Sequence, residues 1–252
     1  MSSMFAFGLG LGTLNSKGEM LDTFFPAPLA QLAGSSAQQL LAALDAADIS
    51  CASDGVELTL NDSQLATLAN TLRAAFTAQA DIAEQLRDAS RPVVLVALVK
   101  DQAPATVATA YLKLHLLSHR LVKPHEQNLD GLFACLPNVA WTNEGPVDLQ
   151  ELPARQLAVR REGRWLSVKS VDKFPAMSDY VVPSGVRIAH TARVRLGAYI
   201  GAGTTIMHEG FVNFNAGTAG TSMIEGRISA GVFVGEGSDL GGGSSTMGTL
   251  SG

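Results

Sequence analysis

The stretch IAHTARVRLGAYIGAGTTIMHEGFVNFNAGTAGTSMIEGRIS, residues 188–229, decides the fold because an aliphatic residue recurs in it every six positions. Six of its seven hexads open on such a residue, and Thr218 opens the other. A period of six fits neither an α-helix nor an alternating strand. It predicts a left-handed parallel β-helix with three hexads per coil, whose interior is filled by the opening residues Ile188, Val194, Ile200, Ile206, Val212 and Ile224.

The repeat changes register after Ile224. The next opening residues are Ile228, Val234 and Leu240, so one step has four residues instead of six. We expect a loop or bulge on the surface at this point. The final stretch LGGGSSTMGTLSG, residues 240–252, contains no polar segment that would cap the open end of a solenoid. We therefore expect the β-helix to be truncated at its C-terminus.

The residues before the repeat predict an α+β part, with a domain over 1–120 and a middle or linker region over 121–184; the β-helix takes 185–252. The turn at NSKG, residues 15–18, predicts an opening hairpin. Helical periodicity follows over 35–90, and then come a buried strand at 91–101 and a helix at 105–120. The middle region predicts a helix over 148–161 and a strand over 165–168.

Composition restricts the class of protein. Apolar residues make up 46% of the chain and charged residues 16%, with a net charge of −5. This balance predicts a folded protein without a basic surface for nucleic acid or anionic membrane. The longest aliphatic run, 93–99, is too short to span a bilayer, and the N-terminus lacks a signal peptide pattern, so we expect a cytoplasmic protein.

Cysteine and histidine spacing gives little evidence for a metal site. Cys51 and Cys135 lie far apart and are interpreted as ordinary buried thiols. His115 and His119 have the i, i+4 spacing of helical metal ligands, but no carboxylate accompanies them. We interpret them as a core or surface pair.

A polar stretch, MHEGFVNFNAGTAGTSMIEGR at 207–227, interrupts the small and apolar repeat. Glu209 is the only carboxylate in the hexads between Ile188 and Met223, which makes it a candidate base for acyl transfer. A solvated turn residue is the alternative. His208 is either a hydrogen-bond donor of an active site or an ordinary polar side chain, and Asn213 and Asn215 are also explained as stacked amides.

At this point the sequence resembles a known family, the tetrahydrodipicolinate N-succinyltransferases, in the longer form found in pseudomonads and actinobacteria. The resemblance is specific over 171–252, beginning at VDKFP, and weaker over 1–170. It rests on four motifs, which are DYVVPSGVRIA (179–189), HEGFVNFNAGT (208–218), EGRISAG (225–231) and VGEGSDLGGGSS (234–245).

The resemblance implies an enzyme of lysine and diaminopimelate biosynthesis, which moves succinyl from succinyl-CoA to tetrahydrodipicolinate and yields N-succinyl-2-amino-6-oxopimelate. It places the catalytic glutamate at Glu209, acting as general base or through a transient acyl anhydride, and puts Gly226 and Ser229 beside succinyl-CoA. It also implies a homotrimer with shared active sites. Some members hold a divalent cation, such as Mg²⁺, on the threefold axis; its ligands here are unassigned, and no cofactor is required.

The acceptor implied by the resemblance carries two carboxylates, so its pocket should offer cationic or amide donors. The candidates for binding the acceptor are Arg187, Arg195, Arg227, Asn213, Asn215 and Ser222. We expect at least one of these three arginines to be an ordinary surface charge.

Three other functions remain open from the residues alone. One is an acyltransferase for a nucleotide sugar, with His190 or His208 as its catalytic histidine. Another is a β-helical carbonic anhydrase, which needs three histidines where the repeat supplies two. The third is a non-catalytic β-helix that serves as an assembly module and would not need Glu209.

Overall fold

The protein is described here by a computed structural model that covers residues 3–248; residues 249–252, the end of the predicted β-helix, lie outside the described residues. A mixed α/β unit forms the first half. Its elements are β1 (Ser3–Leu14), β2 (Met20–Phe24), β3 (Leu29–Ala33), α1 (Gly34–Ala46), β4 (Gly55–Leu60), α2 (Asp62–Thr71), α3 (Thr77–Gln85), β5 (Val93–Leu98) and α4 (Val107–Ser118).

The five strands of this unit form one antiparallel sheet in the order β2-β1-β5-β4, and β3 pairs with the first half of β1. The predicted hairpin is confirmed, since β1 and β2 pair on either side of the turn. Asn15 holds that turn because its Oδ1 accepts hydrogen bonds from the backbone nitrogens of Lys17, at 3.0 Å, and Glu19, at 2.9 Å.

Strand β5 is buried on both faces and separates two cores. Val94, Val96 and Leu98 face the core that contains α4, while the alternate residues of the strand face α1, α2 and α3. The first core continues without a break from α4 into the hexapeptide region, where it includes Ile200 and Ile206. Helix α4 is therefore packed between the sheet and the repeat.

The middle region contains α5 (Leu132–Cys135), β6 (Val139–Thr142), β7 (Gly145–Asp148), α6 (Leu152–Arg161) and β8 (Val168–Asp172). Its strands form an antiparallel sheet in the order β7-β6-β8. The predicted strand at 165–168 was wrong in position, since β8 begins at Val168. The reason lies in Asn143, whose side chain accepts from the backbone nitrogen of Ser167 at 2.7 Å and donates to the backbone oxygen of Trp165 at 3.3 Å, so this segment lies outside the strand.

The repeat folds as short strands separated by corners. They are β9 (Arg187–Ile188), β10 (Ala198–Ile200), β11 (Thr205–Ile206), β12 (Phe211–Val212), β13 (Ala216–Thr218), β14 (Met223–Ile224), β15 (Arg227–Ile228) and β16 (Phe233–Val234). They form three parallel sheets, β9-β11-β14, β12-β15 and β10-β13-β16. Ile188 pairs with Ile206 and Ile206 with Ile224, so the pairing repeats every eighteen residues.

The opening residues of the hexads lie inside, as predicted. Val194, Ile200, Ile206, Val212 and Ile224 are at most 1% exposed. Ile188, at the first coil, is partly buried. The exception to the pattern, Thr218, is also buried, and its hydroxyl lies 2.7 Å from that of Thr204. A threonine is tolerated inside because this partner satisfies its polar atom.

The change of register shortens the coil instead of adding a loop, so the predicted bulge was wrong. Pairings that span the corner after Ile224 join residues sixteen apart, as in Val212 with Ile228 and Thr218 with Val234. The spacing returns to eighteen where Arg227 pairs with Ser245. Only Glu225 and Gly226 make the corner between β14 and β15. A side chain at Gly226 would have its Cβ 2.3 Å from Ser244 Oγ, which explains a glycine at the tightened corner.

Cys51 and Cys135 are free thiols, but both are half-buried instead of fully buried as expected. His115 is fully buried beside His119, in agreement with the core interpretation. Among residues 3–248, no helix has the length and apolar character needed to cross a bilayer.

Candidate functional site

Glu209 lies at the corner between β11 and β12, with its side chain 73% exposed. Arg193, on the preceding coil, holds the backbone of this corner. Its guanidinium donates to the carbonyl oxygens of Glu209, at 2.8 Å, and Gly210, at 3.3 Å. The corner that carries the candidate base is thus fixed by a neighbouring cation.

The side chains of His208 and Arg193 both approach the carboxylate of Glu209. His208 Nδ1 lies 2.8 Å from Glu209 Oε1, and Arg193 Nη2 lies 3.8 Å from Oε2. The hydrogen bond with His208 and the charge of Arg193 lower the pKa of Glu209 below its usual value. The ring of His190 lies 5.0 Å from that of His208. Glu209 is therefore ionised at neutral pH, as a base or nucleophile must be.

An open cleft of about 1170 Å³ lies against the repeat on the side of the middle region. Its wall is the segment 125–133, and its floor comes from three successive pieces of the coils, 213–215, 227–231 and 245–248. Four of the residues predicted for the site line this cleft, namely Asn213, Asn215, Arg227 and Ser229.

Arg227 and Arg195 have different electrostatic surroundings. Arg195 forms an ion pair with Asp172 at 2.7 Å and donates to Asn213 Oδ1 at 3.1 Å. Arg227 has no carboxylate within 4.0 Å among residues 3–248, and its guanidinium lies 6.0 Å from the ring centre of Phe211. Arg227 can bind an anion in the cleft, whereas Arg195 orients Asn213.

Asn215 and Ser229 connect the cleft to its surroundings. Asn215 has a left-handed backbone with φ of 49°, which asparagine tolerates better than most residues. Its Oδ1 accepts from the backbone nitrogen of His125 at 3.1 Å, and His125 Nε2 lies 2.7 Å from Gly231 O. The Ser229 hydroxyl donates to Thr246 O at 2.7 Å.

The other predicted residues do not meet in this cleft within one chain. Glu209 is absent from its lining, and Gly226 is at the shortened corner next to Arg227. Arg187 lies on the sheet β9-β11-β14, whereas Arg227 lies on β12-β15. Ser222 is 4% exposed, and its hydroxyl has no partner among the described residues. A single chain therefore brings together one part of the predicted site.

Across residues 3–248, no three histidine, cysteine, aspartate or glutamate side chains converge on a point that could hold a metal ion. His190 and His208 gain no third histidine there. The ligand set that a zinc-dependent carbonic anhydrase requires is not assembled in this part of the chain.

Sequence reasoning missed Arg193 and His125. Arg193 could have been found, because a position sixteen residues before Glu209 lies on the adjacent coil when the repeat has eighteen residues. His125 gave no signal, since it lies in an irregular segment with no periodicity. Its contact with Asn215 joins positions 90 residues apart.

Stacked parallel coils, an ionised glutamate held at a corner and an open cleft lined by amide and guanidinium groups fit an enzyme of the acyltransferase class. The family model described as "Tetrahydrodipicolinate N-succinyltransferase N-terminal" matches residues 32–134 of this chain. The model of the middle domain of the same family matches residues 136–176. The chain belongs to the tetrahydrodipicolinate N-succinyltransferase family.

The relatives in this family cover almost the whole chain. A protein of Pseudomonas aeruginosa named 2,3,4,5-tetrahydropyridine-2,6-dicarboxylate N-succinyltransferase is 56% identical over 250 residues, which are 99% of this chain and 71% of the relative. A Vibrio cholerae protein of the same name is 56% identical over 98% of this chain and 71% of its own length. A Campylobacter jejuni crystal structure, described as "a putative 2,3,4,5-tetrahydropyridine-2-carboxylate n-succinyltransferase", is 33% identical, with a TM-score of 0.87 over 100% of this chain and 69% of that one.

Proposed function

We propose that this protein transfers the succinyl group of succinyl-CoA to 2,3,4,5-tetrahydropyridine-2,6-dicarboxylate, a step of lysine and diaminopimelate biosynthesis. The identity of 56% with named relatives over 250 residues carries this proposal. Water first adds to the carbon–nitrogen double bond of the acceptor, which makes its nitrogen an amine. This nitrogen attacks the thioester carbonyl and loses its proton, the carbon–sulfur bond breaks, and CoA leaves as the thiol. Opening of the hydrated ring completes the products, N-succinyl-2-amino-6-oxopimelate and CoA.

The repeat over 185–252 is proposed to be a left-handed parallel β-helix, following a domain over 1–120 and a connecting region over 121–184. Parallel pairing at eighteen-residue spacing and the burial of the opening residues support this architecture. Each coil then contributes one strand to each of three faces. The corner 207–210 exposes the side chains of His208 and Glu209.

A homotrimer with shared active sites explains why Glu209 is exposed and outside the cleft of its own chain. In a threefold assembly, the corner of one subunit would meet the cleft of the next. We propose no nucleic acid or membrane partner and a cytoplasmic location. No cofactor is required, and a structural Mg²⁺ on the threefold axis has no assigned ligands in this chain.

Glu209 is proposed as the catalytic residue, as general base or through a transient acyl anhydride. Both roles start from the ionised carboxylate, which the contacts with His208 and Arg193 favour. As a base, it would remove the proton that the acceptor nitrogen must lose when the new amide forms. Gly226 and Ser229 are proposed to contact succinyl-CoA.

The acceptor's two carboxylates are proposed to bind cationic and amide groups. Arg227 is the strongest candidate because it lines the cleft without a carboxylate partner among the described residues. Asn213 and Asn215 line the same cleft and offer amide donors. The remaining candidates, Arg187, Arg195 and Ser222, would need contacts from a neighbouring subunit or a rearrangement to reach the acceptor.

The substitution Glu209→Gln tests this function. Glutamine keeps the size of the side chain but removes its basicity, so we expect succinyl transfer to fall by about 10²–10⁴-fold with folding unchanged. The measurement is the release of free CoA from succinyl-CoA in the presence of the acceptor. Glu236→Gln, an exposed carboxylate elsewhere on the coils, is the matched control and should keep wild-type turnover.

Near-normal turnover of Glu209→Gln would remove Glu209 from the mechanism. An inactive wild-type protein would instead contradict the proposed substrates, and the sugar acyltransferase or assembly functions would then be examined.

A further inference from the structure

Most of the cleft wall, residues 125–131, has no regular secondary structure. Residues 125–131 follow α4 and form neither helix nor strand, yet they line one whole side of the cleft. Backbone hydrogen bonds join only the end of this segment to α5, from Leu132 N to Leu129 O and from Ala134 N to Gly131 O. The position of the earlier residues depends on side chains that reach them from other elements.

Lys113 is the main one of these side chains. It lies on α4, where residues 108–118 are all buried, and it is fully buried itself. Its Nζ pairs with Asp101 Oδ1 and donates to the backbone oxygen of Asn128 at 2.9 Å. Lysine is rarely buried without a specific partner, because desolvation of its charge is unfavourable. Here the charge is compensated by a carboxylate and by the wall of the cleft.

Asp101 completes the connection from the other side. Its Oδ2 accepts from the backbone nitrogen of Asn128 at 2.7 Å, so both backbone groups of Asn128 are held by one ion pair. Gln127 Nε2 also donates to the backbone oxygen of Lys113 at 2.9 Å. Neither Lys113 nor Asp101 lines the cleft itself.

The far end of the segment is tied to the coils. His125 contacts Asn215 and Gly231, both on the floor of the cleft. The wall is thus held at its middle, Asn128, by Lys113 and Asp101, and at its first residue, His125, by the repeat. Displacement of Asn128 would change the distance between the wall and the floor that carries Arg227.

We propose that Lys113 and Asp101 are positioning residues, which set the wall of the cleft and so determine how tightly it binds its ligand. This inference rests on the proposed function, since it takes the cleft as part of the acyl-transfer site. Burial lowers the pKa of Lys113, and the hydrogen bond from Lys113 to Asp101 opposes that effect. The ion pair therefore keeps a cation in a place where packing alone would favour an apolar residue.

The double variant Lys113→Met/Asp101→Asn tests the proposal, because it removes both charges and leaves no unpaired buried ion. We expect the KM of at least one of the two substrates to rise by about tenfold or more, with kcat changed less than about threefold. We also expect faster hydrogen exchange of the amides in 125–131. Lys169→Met, an exposed lysine on β8, is the matched control and should leave both measurements unchanged.

Unchanged KM values for both substrates, with unchanged exchange in 125–131, would overturn the proposal. A variant that loses kcat and thermal stability together, without a change in KM, would indicate a structural role and would also overturn it. If the wild type transfers no succinyl group, the proposed function fails. Exchange in 125–131 and calorimetric titration with succinyl-CoA then still test whether the ion pair orders the wall. If the double variant does not fold, Asp101→Asn alone is measured in the same way.

Discussion

Single residues of the repeat are selected by how closely neighbouring coils approach. At Gly217 the backbone has φ of 155°, and a Cβ would lie 1.7 Å from the backbone oxygen of Tyr199 on the adjacent coil. At Gly237 the backbone is also left-handed, with φ of 77°, but a Cβ would meet nothing within 4 Å. A side chain at Gly237 would therefore meet backbone strain alone, whereas a side chain at Gly217 would meet both strain and a steric clash.

We expect Gly217→Ala to lower the free energy of unfolding by about 3 kcal/mol or more, because both strain and collision act there. Gly237→Ala should lower the free energy of unfolding by about 1 kcal/mol, the usual effect of a left-handed backbone at alanine. Urea unfolding of the two variants and the wild type measures the difference. Equal losses would show that neighbouring coils can move apart at Gly217.

At the scale of elements, α4 is the helix that joins the two halves of the protein. Its Ser118 hydroxyl accepts from the backbone nitrogen of Gly197 at 2.9 Å and donates to Ala198 O at 3.2 Å. One turn earlier, His115 Nδ1 lies 2.7 Å from Tyr111 O, and His115 Nε2 accepts from the nitrogen of Phe25 at 3.3 Å. Because Nε2 accepts this hydrogen bond, it carries no proton, and the buried ring is in its neutral form.

Burial lowers the pKa of His115 to about 3, whereas histidine in the unfolded chain titrates near 6.5. Its folded pKa is depressed, so the stability that it contributes is complete above pH 6.5 and is lost as the pH falls toward 3. We expect a slope of about 1.4 kcal/mol per pH unit from this residue in that window.

The substitution His115→Gln removes the titration and provides the comparison. Both proteins are unfolded chemically between pH 4 and pH 7. The free energy of unfolding of the wild type should fall relative to that of the variant by about 1.4 kcal/mol for each pH unit below 6.5. A difference in stability that is constant with pH would contradict the prediction.

At the scale of the whole molecule, Glu209 lies outside the cleft of its own chain, so the proposed site is complete only when a second subunit is present. We expect a light-scattering mass of three times 26.3 kDa. A mass of one subunit at all concentrations would contradict the homotrimer. Half-buried aromatic side chains on the coils, such as Phe211 and Phe233, are available to such an interface.

Mixed assemblies test whether sites are shared. If each site takes Glu209 from one subunit and Arg227 from the next, then inactive Glu209→Gln and Arg227→Ala subunits should complement each other. Equal mixing after joint refolding should restore about a quarter of wild-type turnover, because one site in four would receive both intact residues. Absence of recovery in verified mixed trimers would place both residues in one chain's site or outside it.

The buried positions of the repeat and the first turn could be predicted from the sequence, because they depend on residues that are close together in the chain. The hexads predicted the buried positions from Val194 to Ile224, and the turn at Asn15 predicted the first hairpin. The strand at 165–168 was misplaced because a side chain distant in sequence, Asn143, decides its start. The candidate carboxylate, Glu209, was found because it is an isolated charge in an uncharged repeat.

By itself, the sequence determined the stacking of the coils, the resemblance to a family and the chemical identity of the candidate residues, because these follow from spacing and residue type. The tertiary structure alone decided which of those residues share a cleft, and that the corner after Ile224 is shortened. It also showed that Lys113, Asp101 and Asn128 form one connection behind the cleft wall. Such contacts join segments from different parts of the chain, and no local pattern encodes the distances between them.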